Sequence, residues 1–351
     1  KVTGAAGIFL NHSKAAALTE QAKPPTLVAL LTRTARLQRS EWDSLNWLYR
    51  WLVMVRAVVL VMTVSSVIVG ILMAAAVTDL QWDRVLALVL GLTMAHATNN
   101  LVNDWTDQRM GVDRNNDFRR RYGTHVLEES LVSQRTFALT TLLTGIAALT
   151  CAGYLIAGIG LNILYLTLIG ALFVFFYTWP LKHFALGELA VLLVWGPLMT
   201  AGSYYVLTEG LTLQVFLVSL VVGAGPTLVI LGKHMDKYKQ DCILTIRTLP
   251  VVIGLRASRV LSVLLIAGQW LLITYLVLNS GYGFLACALS LPALKSLLTS
   301  LRADRPLAKP DDFQEEVWPL WHSAFAFSYC RNFGFALLLG LIANTIFLSV
   351  A

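Results

Sequence analysis

The stretch Asn99-Asn100-Leu101-Val102-Asn103-Asp104-Trp105-Thr106-Asp107-Gln108-Arg109-Met110-Gly111-Val112-Asp113 closes a long apolar run that begins near Arg84. A run of that length reads as a helix able to cross the hydrocarbon of a bilayer. On such a helix Asn100, Asn103, Asp104 and Asp107 fall at i, i+3, i+4 and i+7, so all four project from one face. Ionisable side chains at the edge of a membrane segment are costly in lipid and mark a polar cavity or a functional site. The competing reading is a solvated helix end. Acid and amide oxygens converging on one face suit a hard cation such as Mg2+, which keeps several waters and bridges one or two carboxylates to a substrate phosphate.

Composition supports the membrane reading. Hydrophobic residues make up 57% of the chain and charged residues 13%, with a mean hydropathy of +0.67. That balance excludes an ordinary soluble domain. The net charge of +7 would suggest a nucleic-acid partner in a soluble protein, but here the basic residues cluster in connections between apolar runs, and no nucleic acid is expected. Cys151, Cys242, Cys287 and Cys330 are scattered, which gives no case for a zinc site or a disulfide framework.

Two parts follow from the pattern. Residues 1–48 form a basic, amphipathic cytoplasmic segment. It carries Lys1, Lys14, Lys23, Arg33, Arg36 and Arg39, with Leu27, Leu30, Leu31 and Leu37 spaced to lie on an anionic membrane surface; a basic tail without structure is the alternative. Lys1 in place of an initiating Met leaves a processed leader or a longer chain open. Residues 49–351 form a single transmembrane domain. Its apolar runs give nine spans, at roughly 56–77, 84–107, 136–157, 159–179, 187–206, 213–233, 258–278, 281–300 and 331–350. Lys and Arg gather after spans two, four, six and eight, whereas the alternate connections hold none until Arg84. The positive-inside rule then puts the N-terminus in the cytoplasm. The expected fold is all-α, a bundle of nine transmembrane helices around a central cavity open to the cytoplasmic side and, laterally, to lipid.

A second acidic cluster, Gly232-Lys233-His234-Met235-Asp236-Lys237-Tyr238-Lys239-Gln240-Asp241, follows span six on the same side. Two acidic clusters with neighbouring cations fit a substrate that joins a diphosphate head to a lipid tail. Metal ions held by the carboxylates would neutralise the diphosphate as it leaves, and the remaining allylic cation would be captured by a nucleophile.

These features resemble the UbiA superfamily of intramembrane prenyltransferases, and the resemblance runs from Arg56 over nearly all the remaining chain. The family's Asn-Asp-x-x-Asp core, with a preceding Asn and a later Asp, matches Asn100, Asn103, Asp104, Asp107 and Asp113. Phe176-Tyr177-Thr178-Trp179-Pro180-Leu181-Lys182, then Gly187-Glu188-Leu189 and Trp195-Gly196-Pro197, resemble the connection between spans four and five. Tyr204-Tyr205 leans toward the menaquinone-type branch, whose acceptor is 1,4-dihydroxy-2-naphthoate. The resemblance implies Mg2+-dependent transfer of a polyprenyl group from its diphosphate to an aromatic acceptor in quinone biosynthesis, in a multi-pass protein of a bacterial inner membrane. It assigns catalysis to Asp104, Asp107, Asp236 and Asp241, and the metal cradle to these four with Asn100. Substrate contacts fall to Arg56, Asn100, Asn103, Tyr177, Lys182 and Lys233.

The second motif departs from the family pattern, because Asp236 and Asp241 stand five residues apart where four are usual. On a regular helix that spacing separates the two acids by about 140°. They converge only across a bulge or an unwound turn. The enzymatic alternative is the same chemistry on a different acceptor, such as a hydroxybenzoate, a tetrapyrrole or a lipid alcohol. The alternative of another class is a non-catalytic subunit that binds a quinone or lipid in a larger membrane complex. His96 and His183 read more readily as satisfied polar side chains than as acid–base groups. Glu188 reads equally well as a partner for Lys182 or for an acceptor hydroxyl, and Trp318, Trp321 and His322 as an interfacial belt.

Overall fold

The computed structural model describes residues 25–32, 36–111, 124–315 and 317–350, with side chains described as far as Thr345. Lys1, Lys14, Lys23 and Arg33 of the N-terminal segment, and Asp113 after the first motif, lie outside these residues. Among the described residues every regular element is a helix. Three short helices, α1 (Leu27–Thr32), α2 (Arg39–Ser44) and α3 (Trp47–Met54), precede the bundle. Then come α4 (Ala57–Ala75), α5 (Trp82–Arg109), α6 (Gln134–Ile159), α7 (Leu161–Phe176), α8 (Gly187–Thr208) and α9 (Leu213–Asp236). Two short pieces follow, α10 (Tyr238–Ile243) and α11 (Leu249–Ile253), and the chain ends with α12 (Leu255–Ser280), α13 (Tyr282–Ser300) and α14 (His322–Val350).

Eight of these are long and apolar enough to cross a membrane. The ninth expected span is α7, and its 16 residues reach only about 24 Å at 1.5 Å per residue, short of the ~30 Å hydrocarbon. The apolar run continues to Trp179, but Pro180 cannot extend the helix and restricts the residue before it. The chain turns instead through a 3₁₀ segment, Leu181–Phe184. The last span starts at His322 rather than at the expected 331, so the polar run Tyr329-Cys330-Arg331-Asn332 lies inside the helix.

Side-chain ties fix how the helices alternate. The start of α4 meets the end of α5 through Arg56 and Asp104. The start of α6 meets it through Gln134 and Gln108, and the end of α7 through Thr178 and Asn103. The end of α9 meets the starts of α8 and α14 through Glu188–His234 and Asp236–His322. All these contacts share one end of the bundle. The far end is tied by Arg84 to Glu209 at 3.1 Å and by Gly283 N to Asn344 Oδ1 at 2.9 Å. Hence α6 and α7 form a hairpin through Gly160, whose φ of 114° a side chain would strain.

The main core runs between α4, α8, α9, α12, α13 and α14 and includes Val67, Val218, Leu228, Leu276, Leu297 and Leu337. Tight crossings replace large side chains in places, as membrane bundles commonly do. A Cβ at Gly223 would stand 2.6 Å from Leu192 O, and one at Gly196 would stand 2.8 Å from Ser219 O. By contrast α6 and α7 expose Leu139, Leu142, Leu143, Leu161, Leu168 and Leu172, the outward faces that lipid would cover. A second cluster at the charged end joins Leu30, Trp42, Leu45 and Val55 to Val126, Leu127 and Phe137. The described part of the N-terminal segment therefore packs onto the bundle through Leu30, Leu37, Trp42 and Leu45.

Candidate active site

The stripe along α5 is the hub. Asn100 donates through Nδ2 to Val55 O at 2.8 Å, across the break between α3 and α4. At that break Arg56 has φ 55°, a left-handed conformation that costs a non-glycine residue about 1–3 kcal/mol and is held by its surroundings. The bend frees the Arg56 guanidinium to pair with the Asp104 carboxylate. One turn around, Asn103 Oδ1 accepts from Thr178 Oγ1 at 2.7 Å, and Asp107 accepts from Lys182 Nζ at 3.0 and 3.2 Å. The turn after α7 carries Thr178, and the 3₁₀ segment that follows carries Lys182, onto the first motif. Asn100, Asp104, Asp107 and Lys182 are all buried.

The second motif is interrupted at Lys237 (φ −89°, ψ 0°), where α9 stops and α10 restarts. This is the interruption that the five-residue spacing requires, but the two acids do not converge across it. Asp236 accepts backbone N–H bonds from His322 through Oδ1 and from Ser323 through Oδ2, each at 3.0 Å. Both oxygens therefore serve the first turn of α14, where unpaired amides and the helix dipole favour a carboxylate. Asp241 turns the other way. Its Oδ2 accepts from Thr248 Oγ1 at 3.2 Å, Lys237 Nζ stands 3.6 Å from Oδ1, and Oδ1 is buried without a hydrogen bond.

These groups close the polar end of a cavity of about 400 Å³. Its length is walled by apolar side chains such as Met62, Leu88, Leu149, Leu166, Phe173 and Val191. Arg56, Asn100, Asn103, Asp107, Tyr177, Lys182, Lys233 and Asp241 all line it, so eight of the ten residues expected at the site share one wall. Asp104 and Asp236 do not: Asp104 stands behind Arg56, and Asp236 belongs to the start of α14. Four cations in the wall, Arg56, Lys182, Lys233 and Lys237, face the two acids Asp107 and Asp241, an excess that favours an anion. Burial, with the charges of Glu188 and Asp107 behind it, holds the Tyr177 phenol well above its ordinary range despite nearby Arg56, so it stays protonated.

Several wall residues carried no distinctive sequence signal. Thr248 and Asn99 are polar neighbours of motif residues, and His234 hid between Lys233 and Asp236. Glu188 pairs with His234 at 2.7 Å, and Lys182 with Asp107. His96 bonds Thr63 Oγ1 through Nδ1 at 2.7 Å and His183 bonds Thr178 O at 2.9 Å, as satisfied polar side chains do. Tyr204 and Tyr205 are absent from the cavity wall; Tyr205 accepts from Asn162 at 2.6 Å instead.

Among the described residues no three His, Cys, Asp or Glu side chains stand together as a self-sufficient metal site. The donors present are carboxylate and amide oxygens on facing helices, with one buried Asp241 oxygen making no hydrogen bond. That set fits Mg2+ shared with a phosphate rather than a cation caged by protein.

An apolar chamber within a helical membrane bundle, closed at one end by paired acids and cations, defines an integral membrane protein shaped for an amphiphile with an anionic head. The family is clear from the sequence: a model of the UbiA prenyltransferase family matches residues 63–314, and the chain belongs to that family. It is 28% identical over 225 residues to UbiA prenyltransferase domain-containing protein 1 of Mus musculus, a match covering 62% of this chain and 66% of the relative. For the Rattus norvegicus protein of the same name the figures are 27%, 62% and 65%. The matches thus span just under two thirds of those relatives' length. Among solved structures, one described as digeranylgeranylglyceryl phosphate synthase superposes with a TM-score of 0.56 at 16% identity, covering 84% of this chain and 99% of that one. A UbiA homolog from Archaeoglobus fulgidus bound to GPP and Mg2+ gives 0.56 at 14% identity, covering 82% and 99%. These likenesses are of fold.

Proposed function

We propose that the protein transfers a polyprenyl group from its diphosphate to an acceptor, with Mg2+ as cofactor. The observation that carries this reading is the pairing of Asp107 with Lys182 and of Asp104 with Arg56 at the polar end of an apolar cavity. The apolar walls take the prenyl chain and the charged end takes the head. Asp107 and Asp241, with the Asn100 amide, would hold Mg2+, which when bound would neutralise diphosphate charge. Arg56, Lys182 and Lys233 hold the diphosphate oxygens. Lys182, paired with Asp107 in the structure, would face the diphosphate at the same end as Arg56 and Lys233. Asp104 keeps Arg56 aimed, and Tyr177 presents its ring and phenol to the developing charge.

The reading also takes the charged end to face the cytoplasm. The described far-end turns, 76–81, 160, 209–212 and 281, contain no Lys or Arg, whereas Arg109, Arg135, Lys182, Lys239, Arg247, Arg256, Arg302 and Lys309 lie toward the charged end. The acceptor is proposed as an aromatic nucleophile. Tyr204 and Tyr205, the residues that leaned toward 1,4-dihydroxy-2-naphthoate, do not reach the cavity, so that particular acceptor has no support from the site. The test is the purified protein in nanodiscs with labelled prenyl diphosphate, Mg2+ and four acceptors: dihydroxynaphthoate, hydroxybenzoate, a tetrapyrrole and a lipid alcohol. Acceptor-dependent prenylation abolished by chelator is expected. Saturable binding of an acceptor with no consumption of diphosphate would instead support the non-catalytic subunit.

A further inference from the structure

The transfer reaction leaves one particle without a destination. When C1 of the prenyl group bonds to a phenolic oxygen or an aromatic carbon, the atom attacked gives up a proton. Most polar groups of the cavity wall are poorly suited to take it. Lys182, Lys233 and Lys237 are cations, Tyr177 is a protonated phenol, and Asp107 and Asp241 are engaged by cations and by the proposed metal.

The pair formed by Glu188 and His234 is different. Glu188 stands in the first turn of α8 and His234 near the end of α9, and Glu188 Oε1 lies 2.7 Å from His234 Nδ1. Their side chains are only 5% and 4% exposed. The imidazole lines the cavity beside Lys233 and against the Lys182 turn: a Cβ at Gly187 would stand 3.7 Å from His234 Cε1 and 3.6 Å from Lys182 Cα. Nδ1 is committed to the carboxylate, and the other nitrogen, Nε2, makes no hydrogen bond with the described residues. Glu188 Oε2 is buried and also without a partner. The other imidazole in the wall, His96, is held by the Thr63 hydroxyl, whereas His234 is held by a carboxylate that can stabilise an imidazolium. Asp236, two residues after His234, faces α14 and takes no part.

We propose that His234 accepts the proton released by the acceptor and that Glu188 is its positioning residue, an inference that rests on the transferase reading above. With Nδ1–H donated to Glu188, Nε2 presents its lone pair to the cavity, the tautomer following from the hydrogen bond. The C1–O bond breaks with its electron pair leaving on the diphosphate, and C1 bonds to the acceptor atom. The displaced proton passes to Nε2, and the imidazolium, paired with Glu188, returns it to water at the polar end. The arrangement selects acceptors that carry a removable proton on the nucleophilic atom or conjugated to it, such as phenols and naphthols.

The test uses His234→Gln, Glu188→Gln and Glu188→Asp in the full chain in nanodiscs, read by acceptor prenylation, by prenyl alcohol released without acceptor, and by binding of a non-reacting thio-diphosphate analogue. Loss of a general base costs typically a hundredfold or more. Prenylation should therefore fall on the order of a hundredfold in His234→Gln, while analogue binding stays within about twofold and prenyl alcohol is still formed. Glu188→Asp should recover activity that Glu188→Gln does not, and the acid limb of the rate profile should move in Glu188→Gln, with Tyr177, Lys182, Lys233, Lys237 and Asp107 unchanged around the dyad. Wild-type prenylation by His234→Gln overturns the proposal. So does a joint fall of prenylation, analogue binding and thermal stability in all three variants, which is the signature of a helix tie. Absence of prenylation by the wild-type protein with all acceptors would instead refute the transferase reading.

Discussion

Replacing Asp236 separates a structural acid from a metal ligand. In the structure its two oxygens accept two backbone N–H bonds at the start of a 29-residue helix. Hydrogen bonds to a charged group contribute roughly 1.5–3 kcal/mol each, and the helix dipole adds about 0.3–1 kcal/mol. Asp236→Ala should therefore destabilise the protein by on the order of 3–6 kcal/mol, since two buried amides lose their acceptor. Asp236→Asn keeps one carbonyl oxygen and turns a donor toward the second amide, so about half of that loss is expected. The assay is paired: thermal unfolding in nanodiscs by tryptophan fluorescence, and the Mg2+ concentration giving half-maximal turnover. A lowered Tm with the Mg2+ requirement within about twofold of wild type is the expected outcome for Asp236→Asn. An unchanged Tm together with a Mg2+ requirement raised tenfold or more would refute the reasoning and return Asp236 to the metal site.

Asp107→Asn keeps the shape of the first motif and removes the charge that faces Lys182; turnover at saturating Mg2+ should drop on the order of a hundredfold, measured by initial rates. Gly232→Val should lower the Tm, because a Cβ there would already stand 2.8 Å from Ser323 N and 2.9 Å from His322 C; thermal unfolding checks it. For orientation, a membrane-impermeant maleimide should label the exposed Cys242 in inside-out vesicles only, and a cysteine placed at Glu209 in right-side-out vesicles only.

The bundle was legible because hydropathy is local: each expected span coincides with an apolar helix. The exception in length, α7, traces to Pro180, where hydropathy and helix geometry disagree. The first motif was legible because helical periodicity alone puts Asn100, Asn103, Asp104 and Asp107 on one stripe. Their partners were not readable from periodicity, since Arg56 and Lys182 lie 48 residues before Asp104 and 75 after Asp107; the family resemblance supplied them. Asp236 marks the boundary of such reasoning. An acid beside a helix end reads as a ligand whether it faces a metal or the amide groups of another helix, and here the helix it serves begins 86 residues away. Glu188 and His234, 46 residues apart, met for the same reason without a local sign.

The α7 helix separates the cavity from lipid by a single layer, with Leu166, Gly170, Phe173 and Val174 on the inner side and Leu168, Leu172 and Phe176 exposed on the outer. It is also about four residues shorter than the ~20 that span a typical bilayer. Membrane thickness therefore becomes a variable of the protein: a thicker bilayer must thin locally beside α7 or pull its flanks inward, at a cost of fractions of a kcal/mol per Å of mismatch. Vesicles of graded acyl-chain length would load this wall and leave the charged end untouched, which makes lipid composition a handle on how an amphiphile enters and leaves from the side.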